Sequence, residues 1–300
     1  MRRVVLGDTG IETSALGFGC ASLGSRVGPE AGRRALAEAF DAGVTWLDLA
    51  PVYGAGEAEA IAAPFLRAHR AEVQLCSKAG LLLADGAGGG FRRRLAPLAR
   101  DMLALAGAAA LRLGRAAPKA NRKPPLTPAL LVASLEASLR RLGTDHVDLF
   151  ALHAPEPEEV GRDDIRAALE RILAAGKARA VAVAGDAAAA AAALAAGAPY
   201  AAVQLAVPRP GGAAADAAAE AVLAAAPAAG FGTILHSVFG RGGVAPGEGR
   251  RRLDRAFALN PSGVVLVSML SPASRAATLA AAAAEEAAEG RPPAAAGRGR

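Results

Sequence analysis

The chain has 300 residues, of which 53% are hydrophobic and 21% are charged, and its formal net charge is +6. No stretch reaches the run of about 18 bulky apolar residues that a membrane-spanning helix needs, and the first apolar stretch is too short for a signal peptide. The two cysteines, Cys20 and Cys76, are too few for a disulfide framework. We expect both to be small buried residues in a cytoplasmic protein.

Strand-like and helix-like segments alternate along most of the chain. The strand-like runs, in chain order, are LGFGC, VTWLDLA, VQLCSKA, HVDLFALH, ARAVAVAG, AAVQLAV, FGTILHSV and GVVLVSML. A helix-like segment follows each run, and the third of these helices is predicted to begin with Thr127 as N-cap and Pro128 at its first position.

Eight β–α pairs predict an α/β fold, a closed (β/α)8 barrel, in a single domain over residues 1–290. Several strands are almost continuously apolar, as parallel strands buried on both faces should be. A doubly wound open sheet remains an alternative, because the pattern of elements does not reveal whether a sheet closes.

Residues 80–126 interrupt this alternation with a long loop after the third barrel strand. Within it, residues 91–123 carry nine arginines and lysines against a single acidic residue, Asp101. We interpret this insertion as a solvated basic loop, or alternatively as a lid that attracts anionic ligands. A nucleic-acid surface is disfavoured because Phe91 is its only aromatic residue. Residues 291–300 are predicted to be a disordered tail.

Four ionisable side chains lie at or just beyond the ends of successive predicted strands: Asp48, Tyr53, Lys78 and His153. In a parallel barrel those strand ends share one face, so we expect the four side chains to meet. A lysine ammonium lowers the pKa of a neighbouring tyrosine, a carboxylate holds the lysine, and a histidine can orient a carbonyl oxygen or relay the proton. Such a site suits protonation of an oxyanion as hydride reaches carbon, with a nicotinamide cofactor as the hydride source.

The segments that carry these residues resemble the aldo/keto reductase superfamily. They are LGDTGIETSALGFGCASLG, DAGVTWLDLAPVYGAGEAE, SKAG and SLRRLGTDHVDLFALHAPE, and the resemblance runs from about Leu6 to Ala280. It implies that Tyr53 is the general acid, Lys78 its activator, Asp48 the partner of Lys78, and His153 the residue that orients the substrate. It also implies NADP(H), with NAD(H) as the less common alternative.

The resemblance is weaker in the part of the chain expected to bind the cofactor. Ala184 and Gly185 stand where the family usually has a Ser-Asn pair that holds the nicotinamide carboxamide. Gln204 matches the next carboxamide contact, and His236 stands at the position of an aromatic residue that stacks on the nicotinamide ring. By the same resemblance, the remaining cofactor contacts are expected from Ser237, Phe239, Gly240, Arg241, Ser271 and Arg275.

We therefore predict an NADP(H)-dependent oxidoreductase that interconverts a small-molecule aldehyde or ketone with an alcohol. A degenerate, non-catalytic barrel with a binding or regulatory role is the alternative that the altered cofactor positions favour. A barrel that uses the tyrosine–lysine pair for cofactor-free proton transfer is a third possibility. We expect no metal, nucleic-acid or membrane partner, and a monomer or small homo-oligomer.

Overall fold

The computed structural model of the chain describes residues 1–83, 121–209, 211, 214–240 and 247–289. Most of the basic insertion (residues 84–120), Arg241 and the C-terminal tail lie outside the described residues. Within the described part of the chain, no helix is long and apolar enough to cross a membrane.

Eight parallel strands close into a barrel, which confirms the predicted (β/α)8 architecture. The ten strands of the described chain are β1 (Arg3–Val5), β2 (Glu12–Ser14), β3 (Leu16–Gly19), β4 (Trp46–Asp48), β5 (Gln74–Ala79), β6 (Val147–His153), β7 (Ala178–Ala184), β8 (Tyr200–Ala206), β9 (Gly232–His236) and β10 (Val264–Val267). Strands β3 to β10 follow one another around the barrel in chain order, and β10 pairs with β3 to close it.

Helices follow the barrel strands and form the outer layer. They are α1 (Pro29–Asp41), α2 (Ala58–His69), α3 (Pro128–Leu142), α4 (Pro157–Val160), α5 (Asp163–Ala174), α6 (Ala187–Ala196), α7 (Ala214–Ala225), α8 (Glu248–Leu259) and α9 (Pro272–Glu289). The predicted start of α3 is confirmed, because the Thr127 hydroxyl accepts a hydrogen bond from the Leu130 N–H at 3.1 Å.

Strands β1 and β2 form an antiparallel hairpin that the alternation of elements did not predict. Each has only three residues, which is too short for a recognisable alternating pattern. The turn between them buries Leu6 and Ile11 completely. It is joined to the start of β9 by the Asp8 N–H, which donates to the Gly230 carbonyl at 2.9 Å. The hairpin therefore covers the end of the barrel at which the strands begin.

The core is continuous through the barrel wall. Trp46, Phe18 and Phe150 are fully buried, and β6 is buried at every position except its last residue, His153. Cys20 and Cys76 are both buried and free, as expected.

The two ends of the insertion that the structure describes lie side by side. Leu82 and Arg122 exchange two backbone hydrogen bonds of 2.9 Å in an isolated antiparallel bridge. The insertion therefore leaves and re-enters the barrel at one place, and Lys123, the next residue, lines the cavity described below.

Candidate active site

The four predicted side chains meet at the end of the barrel where the strands finish. Asp48 is the last residue of β4, Lys78 lies near the end of β5, and His153 is the last residue of β6. Parallel pairing sets Asp48 opposite Cys76, and Lys78 opposite Ala151. Because the side chains of successive parallel strands reach the same face at their ends, residues separated by about a hundred positions become neighbours.

Tyr53 reaches this site from a tight turn directly after β4. The turn spans Tyr53–Gly56, and Gly54 within it has a left-handed backbone with φ +60°. A Cβ atom at Gly54 would lie 1.6 Å from the Leu23 carbonyl oxygen. Glycine is therefore required here for close backbone approach as well as for its conformation.

A buried ion pair forms the floor of the site. The Lys78 Nζ donates to Asp48 Oδ2 at 2.6 Å and to the Leu49 carbonyl at 3.2 Å. Asp48 and Lys78 are only 2% and 1% exposed. The Tyr53 Oη lies 3.5 Å from Asp48 Oδ1, at the long limit of a hydrogen bond, and its ring centroid lies 5.2 Å from the Lys78 Nζ.

The net electrostatic effect on Tyr53 differs from the effect predicted from its lysine neighbour alone. Burial of the hydroxyl raises the pKa of Tyr53 well above its ordinary value, and the Lys78 ammonium offsets part of that rise. Burial by itself lowers the pKa of Lys78, but Asp48, Cys76 and Tyr53 together outweigh that effect and raise the pKa above its ordinary value. At neutral pH the site therefore holds a protonated tyrosine beside a charged lysine.

His153 is neutral in this environment. Burial and the nearby positive charge of Lys78 lower its pKa to about 3. Its ring meets the Tyr53 ring edge-on, with centroids 5.8 Å apart and planes at 88°. A neutral imidazole carries one N–H donor, so His153 can donate a hydrogen bond to an oxygen near Tyr53 without contributing a net charge.

The four side chains line one cavity of about 770 Å³, and the Asp48–Lys78 pair lies at its base. Gln204, near the end of β8, also lines the cavity and is 2% exposed. Its Oε1 has no hydrogen-bond partner among the described residues. A buried acceptor without a partner costs free energy, so this oxygen is suited to accept a hydrogen bond from a bound amide.

Ala184 and Gly185 line the same cavity as Gln204. Neither side chain carries a hydrogen-bonding group, so this wall differs from the Ser-Asn pair of the family. Asp186, which follows, lines the cavity and also caps α6, because its Oδ1 accepts from the Ala189 N–H at 2.9 Å.

The loop after β9 supplies the next part of the cavity wall. His236, Ser237, Phe239 and Gly240 all line it. The His236 Nδ1 is 2.8 Å from the Ser237 Oγ, and Ser237 has a left-handed backbone with φ +60°. A non-glycine residue in that conformation indicates a locally strained loop of the kind that often occurs at binding sites.

The structure does not bring the two most C-terminal candidates into the cavity. Ser271 caps α9, where its Oγ accepts from the Ser274 N–H at 3.1 Å. Arg275 is 4% exposed and forms an ion pair with Glu38 of α1. It also donates to the Met269 carbonyl at 3.1 Å. Its guanidinium therefore ties α9 to α1 and to the chain just after β10.

Several charged residues at the cavity were not among the sequence candidates. Arg26 lines it from the loop after β3, and Lys123 and Glu156 line it as an ion pair. Lys123 belongs to the basic run already noted in the sequence. The sequence gives no comparable indication for Arg26, because a single arginine in a loop cannot be distinguished by sequence from an ordinary solvent-exposed residue.

Comparison with known proteins agrees with the fold. Residues 15–286 match the Aldo/keto reductase family. The chain is 29% identical over 189 residues to aldo-keto reductase YhdN of Bacillus subtilis, covering 61% of this chain and 46% of that protein. It is 29% identical over 192 residues to 6-dehydroglucose reductase of Agrobacterium fabrum, covering 61% and 53%. The aligned part thus spans about half the length of these curated relatives.

Solved structures match over nearly the whole chain. A Pseudomonas aeruginosa protein assigned as an aldo-keto reductase superposes with a TM-score of 0.72 at 22% identity, covering 94% of this chain and 95% of that one. The holo form of an aldo-keto reductase from Bacillus halodurans superposes with a TM-score of 0.69 at 18% identity, covering 94% and 90%. At these identities the likeness establishes the shared barrel. The match of residues 15–286 to the family shows that the chain belongs to the aldo/keto reductase family.

Proposed function

We propose that the chain is an NADP(H)-dependent oxidoreductase that reduces a small-molecule aldehyde or ketone to an alcohol, or catalyses the reverse reaction. One observation carries this proposal: Tyr53, Lys78, Asp48 and His153 meet at the base of a cavity large enough for a ligand. NAD(H) is the alternative cofactor.

In the reduction, the Tyr53 hydroxyl donates its proton to the carbonyl oxygen as that oxygen gains negative charge. The raised pKa keeps this hydroxyl protonated at neutral pH, so the acid is present in the form that reduction requires. The phenolate left behind lies beside the Lys78 ammonium, which stabilises it. Asp48 keeps that ammonium in place.

His153 orients the substrate. Because its pKa is lowered to about 3, the imidazole is neutral at neutral pH and donates through one N–H. A donor aimed at the oxygen that becomes negative stabilises the transition state more than the ground state.

Residues at the other side of the cavity fit a nicotinamide dinucleotide. The Oε1 of Gln204, which has no hydrogen-bond partner among the described residues, suits the carboxamide of the nicotinamide. Ser237 and the backbone of Phe239 and Gly240 suit the pyrophosphate of the dinucleotide. When bound, the dinucleotide supplies the hydride that reaches the carbonyl carbon. Arg275 is held by Glu38, so we assign it no contact with a 2′-phosphate in the conformation described.

A non-catalytic barrel is the second candidate, and Ala184 and Gly185 favour it. Two neutral hydrogen bonds of about 0.5–1.5 kcal/mol each are missing there, which corresponds to roughly ten- to hundredfold in affinity. A barrel that has lost its catalytic activity would be expected to have a weakened cofactor site even if its proton-donor residues are intact.

Replacing Tyr53 by phenylalanine removes one hydroxyl group and distinguishes the catalytic from the non-catalytic candidate function. We expect wild-type protein to quench or shift NADPH fluorescence and to consume NADPH with at least one member of a panel of aldehydes and ketones. Tyr53→Phe should bind NADPH equally well and lower kcat by about a hundred- to ten-thousandfold, the usual contribution of a general acid.

Tyr200→Phe is the matched control, because Tyr200 is buried and donates to the Val160 carbonyl at 2.8 Å, away from the cavity. This variant should keep the wild-type kcat. Absence of NADPH binding at millimolar concentration, or equal turnover by Tyr53→Phe and wild type, would contradict the proposed reaction.

A further inference from the structure

A second buried carboxylate lies behind the active site, on the outer side of the barrel wall. Glu59, in the first turn of α2, is 1% exposed. Its Oε1 accepts from the Ser77 hydroxyl at 3.0 Å, and its Oε2 accepts from the Arg141 Nε at 2.7 Å. Arg141 also contacts the Ser138 hydroxyl at 3.2 Å. Both carboxylate oxygens are therefore satisfied, by residues of β5 and α3.

This carboxylate connects the two chain segments that carry the proton-donor residues. Ser77 directly precedes Lys78 in β5, so its side chain points to the opposite face of the strand from the lysine. The turn Tyr53–Gly56 leads directly into α2, in which Glu59 is the second residue. The Glu59–Ser77 hydrogen bond thus joins the segment of Tyr53 to the strand of Lys78.

The side chains inside the site hold the Tyr53 hydroxyl only loosely. Its contact with Asp48 is 3.5 Å long, which is at the limit of a hydrogen bond. Its ring meets His153 edge-on and lies 5.2 Å from the Lys78 Nζ. The backbone of the turn, in which the Tyr53 N–H donates to the Ala50 carbonyl at 3.0 Å, and the contacts that anchor the turn therefore contribute to the position of the hydroxyl.

We propose that Glu59 is a positioning residue for the proton transfer, acting through Ser77 and the start of α2 to hold Tyr53 in register with Lys78. The inference rests on the proposed function, because it concerns the geometry of that reaction. Glu59 itself lies outside the set of residues that line the cavity, and it touches no reacting group.

The direct test is Glu59→Gln, which preserves size but replaces one acceptor by an N–H₂ group. That group must face either the Ser77 hydroxyl or the Arg141 guanidinium, and against Arg141 it places donor against donor. We expect kcat to fall about ten- to hundredfold, as a displacement on the order of 1 Å does. The KM for NADPH should stay within about twofold of wild type, because Glu59 does not reach the cavity.

Asp148→Asn is the matched control. Asp148 is also a buried carboxylate that anchors β5, since its Oδ2 accepts from the Leu75 N–H at 2.9 Å. It also pairs with two arginines, Arg70 and Arg179. It acts at the opposite end of the strand from Lys78. Both variants should lower the urea midpoint, and only Glu59→Gln should lower kcat at a temperature where both proteins are folded.

A second readout does not depend on turnover. The chain has two tyrosines, Tyr53 and Tyr200, so protein labelled with ¹³C-tyrosine gives two sets of ring signals, which Tyr200→Phe assigns. Glu59→Gln should shift the Tyr53 signals and leave those of Tyr200 in place, whereas Asp148→Asn should shift neither.

The results separate this inference from the proposed function. If wild-type protein reduces carbonyl compounds but Glu59→Gln keeps its kcat and its Tyr53 signals, Glu59 has no positioning role. The same conclusion follows if Asp148→Asn lowers kcat as much, because the effect is then one of stability. If wild-type protein reduces nothing, the proposed reaction fails, while the Tyr53 signals still show whether Glu59 sets the position of that ring.

Discussion

Replacing Lys78 by methionine separates the structural and catalytic contributions of the buried ion pair. The substitution would keep most of the apolar stem but remove the ammonium that donates to Asp48 at 2.6 Å and to the Leu49 carbonyl at 3.2 Å. Asp48, 2% exposed, would be left with the 3.5 Å contact from Tyr53. A buried carboxylate would thus lose its strong charged partner.

The expected cost follows from that geometry. Breaking a buried ion pair by removing one partner destabilises a protein by about 3–5 kcal/mol, because the remaining charge is buried without compensation. Replacing both partners by well-packed hydrophobic residues of similar volume is often neutral, and the Met–Asn pair of the double variant likewise leaves no buried charge. We therefore expect Lys78→Met and Asp48→Asn each to be strongly destabilised, and the double variant to recover at least about 2 kcal/mol relative to the sum of the two.

Urea denaturation of wild type, both single variants and the double variant measures this coupling, and NADPH consumption measures catalysis in the same samples. All three variants should be catalytically impaired, because the ammonium that stabilises the Tyr53 phenolate is either removed or no longer held in place. A double variant destabilised by the full sum of the two single variants would refute the reasoning, since the two buried charges would then not be energetically coupled.

Three further predictions concern the cavity wall and its surroundings. Ala184→Ser combined with Gly185→Asn should tighten NADPH binding by roughly ten- to hundredfold, because the two new side chains can form two neutral hydrogen bonds. A fluorescence titration measures this affinity, and an unchanged value would show that the nicotinamide does not reach this wall. Burial lowers the pKa of His153 to about 3 from an ordinary 6.5, so the unfolded state binds the extra proton, and stability should fall by up to about 1.4 kcal/mol per pH unit as pH drops below 6.5. Urea midpoints of His153→Gln should fall less steeply over that range, and a parallel decline would contradict the assigned pKa. Arg275→Ala should lower the urea midpoint while leaving the ratio of the affinities for NADPH and NADH unchanged, because its guanidinium is held by Glu38. A selective loss of affinity for NADPH would place that arginine on the cofactor.

The eight β–α units and the clustering of Asp48, Tyr53, Lys78 and His153 could be predicted from the sequence because their signals are local. Apolar runs of strand length, helical periodicity and the cap at Thr127 each depend on a few consecutive residues. Asp48, Lys78 and His153 occur where such runs end. The rule that parallel strand ends share one face then brings them together without further information.

Other features depend on contacts that only closure of the barrel creates. An arginine such as Arg275 is chemically suited to bind a phosphate, but in the structure it pairs with Glu38 instead. That partner lies 237 residues away in the chain, so the sequence pattern did not reveal it. The lysine next to Tyr53 could be predicted, but the depth of burial that raises the pKa of the tyrosine could not.

The same limit applies to the network behind the site. In the sequence, Glu59 is one more acidic residue near a helix start, and its partners Ser77 and Arg141 lie 18 and 82 residues further along the chain. The sequence by itself thus determined the order of elements and the four side chains that meet where the strands end, because short patterns encode both. Burial, net electrostatics and the partners of each charged group were decided only by the tertiary structure, because each depends on residues that are distant in the chain.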